Sequence, residues 1–245
     1  MACRLRYSVL AAALGLLGSC SPYQRLYTDF MKGRSSIRYI HTSKKEFKKT
    51  DNRVNVSLPV ITDSRFKSAG NVRHVKSTVI PLIVFNSWDY RYECEVGQPL
   101  IIENLPRFIQ ASVIAESRRS GTFGIDSVSN DSGLTLEIAV DSLSAKGPYS
   151  NIGFASYLLF VFLSHRDESA GPGVAYSRFH YRLSRAEATI LESTVSSSTS
   201  LTTLSISPIS KFHEGYRANL VECLSDTFRK NTEKIIARIN LLLKK

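Results

Sequence analysis

Leu134-Thr135-Leu136-Glu137-Ile138-Ala139-Val140-Asp141 is the stretch that decides the fold class. Its large apolar side chains fall at every second position. Successive strand residues point to opposite faces, so this pattern is a strand with one buried and one wet face. Strands of a parallel sheet covered on both faces would read as unbroken apolar runs instead. The stretch therefore places an antiparallel sheet at the centre of the chain.

Working outward, Phe154 to Leu163 is apolar apart from Ser156 and reads as a central strand, or one covered on both faces. Gly171-Pro172-Gly173 is a turn. Phe179, Tyr181 and Leu183 then alternate with Arg178, His180 and Arg182. A tight turn at Arg185-Ala186-Glu187-Ala188 leads into a return strand from Thr189 to Val195. These connections are too short for crossover helices, so the strands form a meander. Ser196 to Ser207, rich in Ser and Thr, reads as a loop.

Upstream, Val79 to Phe85 is a β-rich apolar run whose Pro81 marks an edge or a strand start. Asn86 to Asp89 interrupts it, and Tyr90, Tyr92 and Cys94 share one face of the continuation. The cluster Trp88, Asp89, Tyr90 and Tyr92 reads either as aromatics packed into the core or as a binding patch. A first helix is signalled by Asn104 as cap, Pro106 in the first turn and Gly121 after the end. Leu105, Phe108, Ile109, Ser112 and Val113 share its apolar face. A second, longer helix spans about His213 to Leu243. Its apolar stripe is Tyr216, Leu220, Cys223, Leu224, Phe228, Ile235, Ile239 and Leu242, with Arg217, Glu222, Asp226, Arg229, Glu233 and Lys234 opposite. The expected fold is α+β: an antiparallel sheet of about four to six strands with two helices packed on one face.

Charge divides the chain. Residues 20–76 hold 13 Lys and Arg against 4 Asp and Glu, whereas residues 77–245 hold 17 of each. The net charge of +11 is thus a property of the N-terminal third. A basic folded domain would point to nucleic acid. A neutral domain on a basic leader points to a membrane surface, and nucleic acid is not expected. Residues 20–76 read as a basic tether, with Lys44, Lys45, Lys48 and Lys49 as membrane-surface contacts and Phe47 dipping into the interface. The competing reading docks the alternating stretch Val54 to Ile61 as an added strand. Residues 77–245 are the single folded domain.

The first residues explain the membrane. Arg4 and Arg6 precede an apolar run from Val9 to Leu17, the layout of a secretory signal peptide over residues 1–19. The run is too short to cross a bilayer about 30 Å thick. Leu17-Gly18-Ser19-Cys20 resembles the bacterial lipobox: leucine, two small residues, cysteine. The resemblance implies cleavage before Cys20 and attachment of lipid, palmitate by type, to that residue. Cys94 and Cys223 are then the two remaining thiols in an oxidising compartment. They read either as a disulfide or as two buried thiols acting as small apolar residues.

Chemistry-bearing motifs are few. The sequence holds no GxSxG, HExxH, CxxC pair, P-loop or GxGxxG. No cofactor, metal site or catalytic residue is expected. His165-Arg166-Asp167-Glu168 reads as turn polarity rather than a metal site, and His180 as a surface residue.

The lipobox, the early strand, the helix ending Glu116-Ser117-Arg118-Arg119-Ser120-Gly121, the meander and the long C-terminal helix together resemble small envelope lipoproteins that accompany transport machines. These include the lipopolysaccharide-assembly lipoprotein of the outer-membrane translocon and the auxiliary lipoproteins of lipid-trafficking ABC systems. The resemblance implies a non-enzymatic accessory or assembly subunit, lipid-anchored at the outer membrane and facing the periplasm, with a protein partner in the envelope. The competing readings are a surface-exposed structural or adhesive lipoprotein, and a hydrolase with an unrecognised site.

Overall fold

The computed structural model describes residues 22–39, 52–68, 70–81, 85–126, 133–158, 161–186, 188–202 and 212–243. In chain order these form α1 (Pro22–Lys32), β1 (Arg53–Val56), β2 (Val60–Ile61), α2 (Ser64–Lys67), β3 (Asn71–Pro81) and β4 (Phe85–Glu95). A 3-10 turn (Gln98–Leu100) follows, then α3 (Leu105–Ser120), β5 (Gly124–Asp126), β6 (Leu134–Leu158), β7 (Val161–Ala170), β8 (Val174–Arg185), β9 (Ala188–Ser200) and α4 (Phe212–Leu243).

The spine is β6, whose 25 residues give a contour of about 80 Å at roughly 3.3 Å per residue. Its first half pairs antiparallel with β8 from Leu134 to Lys146. On the opposite edge β1 and β2 pair with it in parallel, and β5 lies beyond β1. Its second half pairs antiparallel with β7 and with β4, and β3 lies beyond β4. One strand thus runs through a lower sheet, β9-β8-β6-β1-β5, and an upper one, β7-β6-β4-β3.

This corrects the expected sheet of four to six antiparallel strands with two helices on one face. The described residues form a mixed sheet of nine strands with four helices. The parallel members β1, β2 and β5 have four, two and three residues, too short for a period-two signal. The central alternation holds: Leu134, Leu136, Ile138 and Val140 are buried while Glu137 and Asp141 are exposed. The two-residue connection between Arg185 and Ala188 is also as expected, with Ala186 at φ 45°. Ser196 to Ser200 belong to β9 rather than to a loop. Asn86 to Asp89 do not interrupt β4.

The basic tether is corrected as well. Its described residues are built into the body, and the docked reading of Val54 to Ile61 holds. Val54 and Val56 are buried beside β6, and Leu26 and Phe30 of α1 are fully buried. Each such side chain contributes about 1.5–3 kcal/mol. Asp63 caps α2 by accepting from the Arg65 and Phe66 amides, and its second oxygen accepts from Leu143 N at 2.9 Å. That contact sits beside the register shift in β6 between Val140 and Ser142.

Helices α3 and α4 cover the lower sheet. Asn104 caps α3 by accepting from Arg107 N, and Pro106 lies in its first turn. Phe228 of α4 packs on Phe179 of β8 and on Phe108 of α3, with ring centroids 5.5 and 6.3 Å away. The apolar stripe of α4 is buried from Tyr216 to Ile239 and Leu242 is partly buried, but Arg217 is not on its wet side. That guanidinium is buried and donates to the carbonyls of Asp29 and Phe30, at 2.9 and 2.7 Å, and to Ser35 Oγ. It satisfies the last carbonyls of α1, which no helical amide can reach.

Candidate functional site

The upper sheet is where the chain departs from a closed core. Strand residues alternate faces, yet every residue of β3 from Arg73 to Pro81 is exposed, as is every residue of β7 from Val161 to Asp167. Both faces of these outer strands are therefore uncovered. We call this four-stranded extension the arm.

Register brings its two hairpins to one height. Val79 stands beside Trp88, Trp88 beside Gly153 and Gly153 beside Arg166. One row nearer the end come Ile80, Ser87, Phe154 and His165. Above these, Phe85 stacks on Phe154 with ring centroids 5.9 Å apart. Val161, Phe162 and Leu163 of β7 are exposed, Phe162 at 63%. The sequence has no Asp, Glu, Lys or Arg from Ser77 to Trp88, nor from Gly147 to His165. The sequence joining the paired strands is thus uncharged and mostly apolar in both hairpins, where water-facing hairpins carry Gly, Asn or Asp. A contiguous exposed apolar patch of this kind marks an interaction site.

This overturns the reading of Phe154 to Leu163 as one buried strand. The stretch is the end of a hairpin, split between β6 and β7. Sequence reasoning missed the arm because an apolar turn has no punctuation. The available signal was the pair of apolar runs, Val79 to Phe85 and Tyr157 to Leu163, each lacking a turn residue other than Pro81.

At the root of the arm lies a buried polar chain. Trp88 Nε1 donates to Asn151 Oδ1 at 2.9 Å, and Asn151 Nδ2 donates to Glu168 Oε1 at 3.5 Å. Glu168, whose side chain is 4% exposed, pairs with Arg166 and lies 3.7 Å from His213 Nε2. His213 also meets Tyr149 Oη at 3.1 Å and Asp29 Oδ2 at 3.2 Å. Burial, then the Glu168 charge, pushes the Tyr149 phenol well above its usual range. The chain of contacts joins arm, α4 and α1. It opens into none of the clefts described below.

The clefts gather charges of both signs. One of about 560 Å³ lies between Arg34, Ser36, Arg38 and the α4 residues Glu214, Arg217 and Glu222. Another of about 570 Å³ is lined by Arg65, Asn71, Glu95 and Lys146. Among the described residues no group of three or more His, Cys, Asp or Glu side chains is placed to hold a metal. No described helix is long and apolar enough to cross a membrane, which leaves strands out of account.

Cys20, Lys44, Lys45, Lys48 and Lys49 lie outside the described residues. Cys94 and Cys223 are both buried free thiols, so the disulfide is not formed. Cys94 sits on β4 near Tyr216, whose phenol burial, Cys94 and Glu93 push up. Trp88 and Tyr90 are half-buried at the root of the arm and Tyr92 is core, so the aromatic cluster divides between its two readings. The residues His165 to Glu168 form strand β7 rather than a turn. His180 is partly exposed and bonds Glu192 Oε1 at 3.0 Å.

No protein-family model and no curated protein sequence matches this chain. Among solved structures it is similar to protein XCC0632 of Xanthomonas campestris, of the DUF330 family. The identity is 11% and the TM-score 0.49, over 86% of this chain and 95% of that one. It is also similar to hypothetical protein CT253 of Chlamydia trachomatis, at 7% identity and TM-score 0.38, over 78% and 96% of the two chains. At these values neither similarity bears on family or activity.

Proposed function

We propose that this chain is a lipid-anchored, non-enzymatic accessory subunit of an envelope transport or biogenesis machine. Cys20 holds it at the outer membrane facing the periplasm, and the arm is its working surface. The observation that carries this reading is the arm: a single layer of four strands, uncovered on both sides, with an uncharged apolar end. Such a surface costs free energy in water and is retained where something covers it. The lipobox-like Leu17-Gly18-Ser19-Cys20 supports the anchorage, and the charge divide supports a membrane-side setting.

Affinity capture of the full-length chain after crosslinking in cells is the test. The expected result is a defined set of envelope components whose recovery falls at least tenfold in an Ile80→Glu/Phe162→Glu variant. Both positions are exposed, so the body stays folded. Recovery unchanged by the double variant, or an unmodified N-terminus in place of lipidated Cys20, overturns the reading.

A further inference from the structure

We propose that anchored copies of this chain join arm to arm, β7 of one against β3 of the next, into a closed antiparallel β-barrel that enters the bilayer. This rests on the reading of the chain as a lipid-anchored subunit that acts through its arm.

The arm has two open edges. Among the described residues β3 pairs only with β4, and β7 only with β6. Each edge is a row of backbone donors and acceptors ready to pair with another strand. The edges are uncovered over the same rows, since Thr78 of β3 and Asp167 of β7 share one register row through Asp89 and Ile152.

Direction selects the partner. β3 runs toward the apolar end, β4 away, β6 toward and β7 away. Copies held on one membrane point their arms the same way. Under that constraint β3 against β3, or β7 against β7, would have to pair in parallel. Only β7 against the next copy's β3 continues the up-and-down antiparallel order. That contact is head-to-tail, and head-to-tail contacts close into rings when the rotation allows.

The bilayer requires the closure. Hydrocarbon offers no hydrogen bonds, so an open sheet edge is excluded from it, whereas a closed barrel has no edge. A membrane-crossing strand needs about 9–11 residues. The uncovered parts of the outer strands are nine residues of β3 (73–81) and seven of β7 (161–167), so the barrel enters the bilayer from one side without crossing it. Polarity is graded along the arm rather than divided between its faces. Toward the root one face carries Lys76, Asp89, Arg91 and Asp167, and toward the end the same face carries Ile80, Phe154 and Leu163. The other face carries Tyr90, Trp88 and Arg166 toward the root and Phe162 toward the end, with Arg166 paired to Glu168. The uncharged ends of both faces enter hydrocarbon, with Trp88 and Tyr90 at girdle height. Each copy brings four strands.

Cysteine crosslinking of the full chain in its own membranes tests this. Thr78→Cys is combined in turn with Leu163→Cys, Ser164→Cys, His165→Cys and Arg166→Cys, and a short bis-maleimide is added. The native thiols Cys94 and Cys223 are buried, and the parental chain is the control. The expected result is a ladder of multimers from at least one double variant, ending at one discrete largest species extractable only with detergent. Every single variant stays monomeric. Dimers from single variants show same-edge pairing and overturn the barrel. So does the absence of a ladder from all four double variants, or a product containing a different protein. Mass spectrometry of Cys20 on the same samples separates the two readings. A lipidated chain without a ladder overturns the barrel alone. A ladder from an unlipidated chain supports the arm pairing and overturns the anchored reading.

Discussion

Trp88 rests on the backbone of Gly153, where an added Cβ would fall 2.5 Å from indole Cζ2. The indole N–H reaches two rows toward the root, donating to Asn151. A side chain at 153 and the indole cannot share that space. The glycine is therefore what lets the tryptophan seat β4 on β6 at the root of the arm.

Gly153→Ala should displace the indole and crowd the His165 carbonyl of β7, which the added Cβ would also meet at 2.5 Å, at a cost of about 1–3 kcal/mol by overpacking. Trp88 is the only tryptophan in the chain, so its emission reports this site alone. A red shift with unchanged far-ultraviolet circular dichroism is expected. Emission identical to the parent would show that the indole does not lie on Gly153.

Arg217→Met should unseat α1. The substitution keeps the aliphatic length but leaves the Asp29 and Phe30 carbonyls without their donor, for a loss of about 2–4 kcal/mol. Urea unfolding measures the loss. Limited proteolysis should cut first within residues 22–39. A midpoint within error of the parent would refute the bridging role.

With Cys3 and Cys20 replaced by serine, two thiols remain. Unfolded in the absence of reductant, the chain should label with two equivalents. In the folded state at pH 8 labelling should slow at least a hundredfold. The thiolate is the reactive form. Burial, aided by the Glu93 charge, pushes the Cys94 thiol up to about 12. Burial, with Asp226 and Glu222, pushes Cys223 up to about 11. No labelling after unfolding would mean the thiols are oxidised.

Asp226 ties the middle of α4 to β9. Burial opposes its ionisation, but hydrogen bonds from Lys230, Thr199 and Arg229 outweigh this and hold it at about 2, below the ordinary 3.8. A depressed carboxylate stabilises the fold above its unfolded value, and the contribution is lost as pH falls through the folded one. The window is therefore about pH 4 down to pH 2. After screening at this partly exposed site the contribution is about 1 kcal/mol. Asp226→Asn should destabilise at pH 7 and converge with the parent below pH 2. A constant difference between the two across that range would contradict the assignment.

How much of this was written legibly in the chain depends on the length of each signal. Leu134 to Val140 and the stripe from Tyr216 to Ile239 repeat often enough to be read, and both are buried as their periods require. Asn104 and Gly121 bound α3 correctly. β2, at two residues, has no period, and β1 shows only two buried valines. Their placement beside β6 is a tertiary event that charge counting over residues 20–76 obscured. Arg217 sits at a polar position by periodicity, yet its buried role is set by α1, nearly two hundred residues earlier. The arm was illegible for a different reason. An apolar run gives the same local pattern whether it is buried or waits for a partner, and only the neighbouring strands distinguish the two.

The bridge from α1 to α4 has a temporal meaning. Arg217 and His213 reach back to Asp29 and Phe30, across 184 to 188 residues. The cover of the lower sheet also comes from the last helix. Contacts so distant in sequence form late and slowly. While the chain is made residue by residue, its body lacks the final element that locks it. It stays open until nearly all of it has been made, and the apolar arm is completed before the helix that closes the fold beneath it.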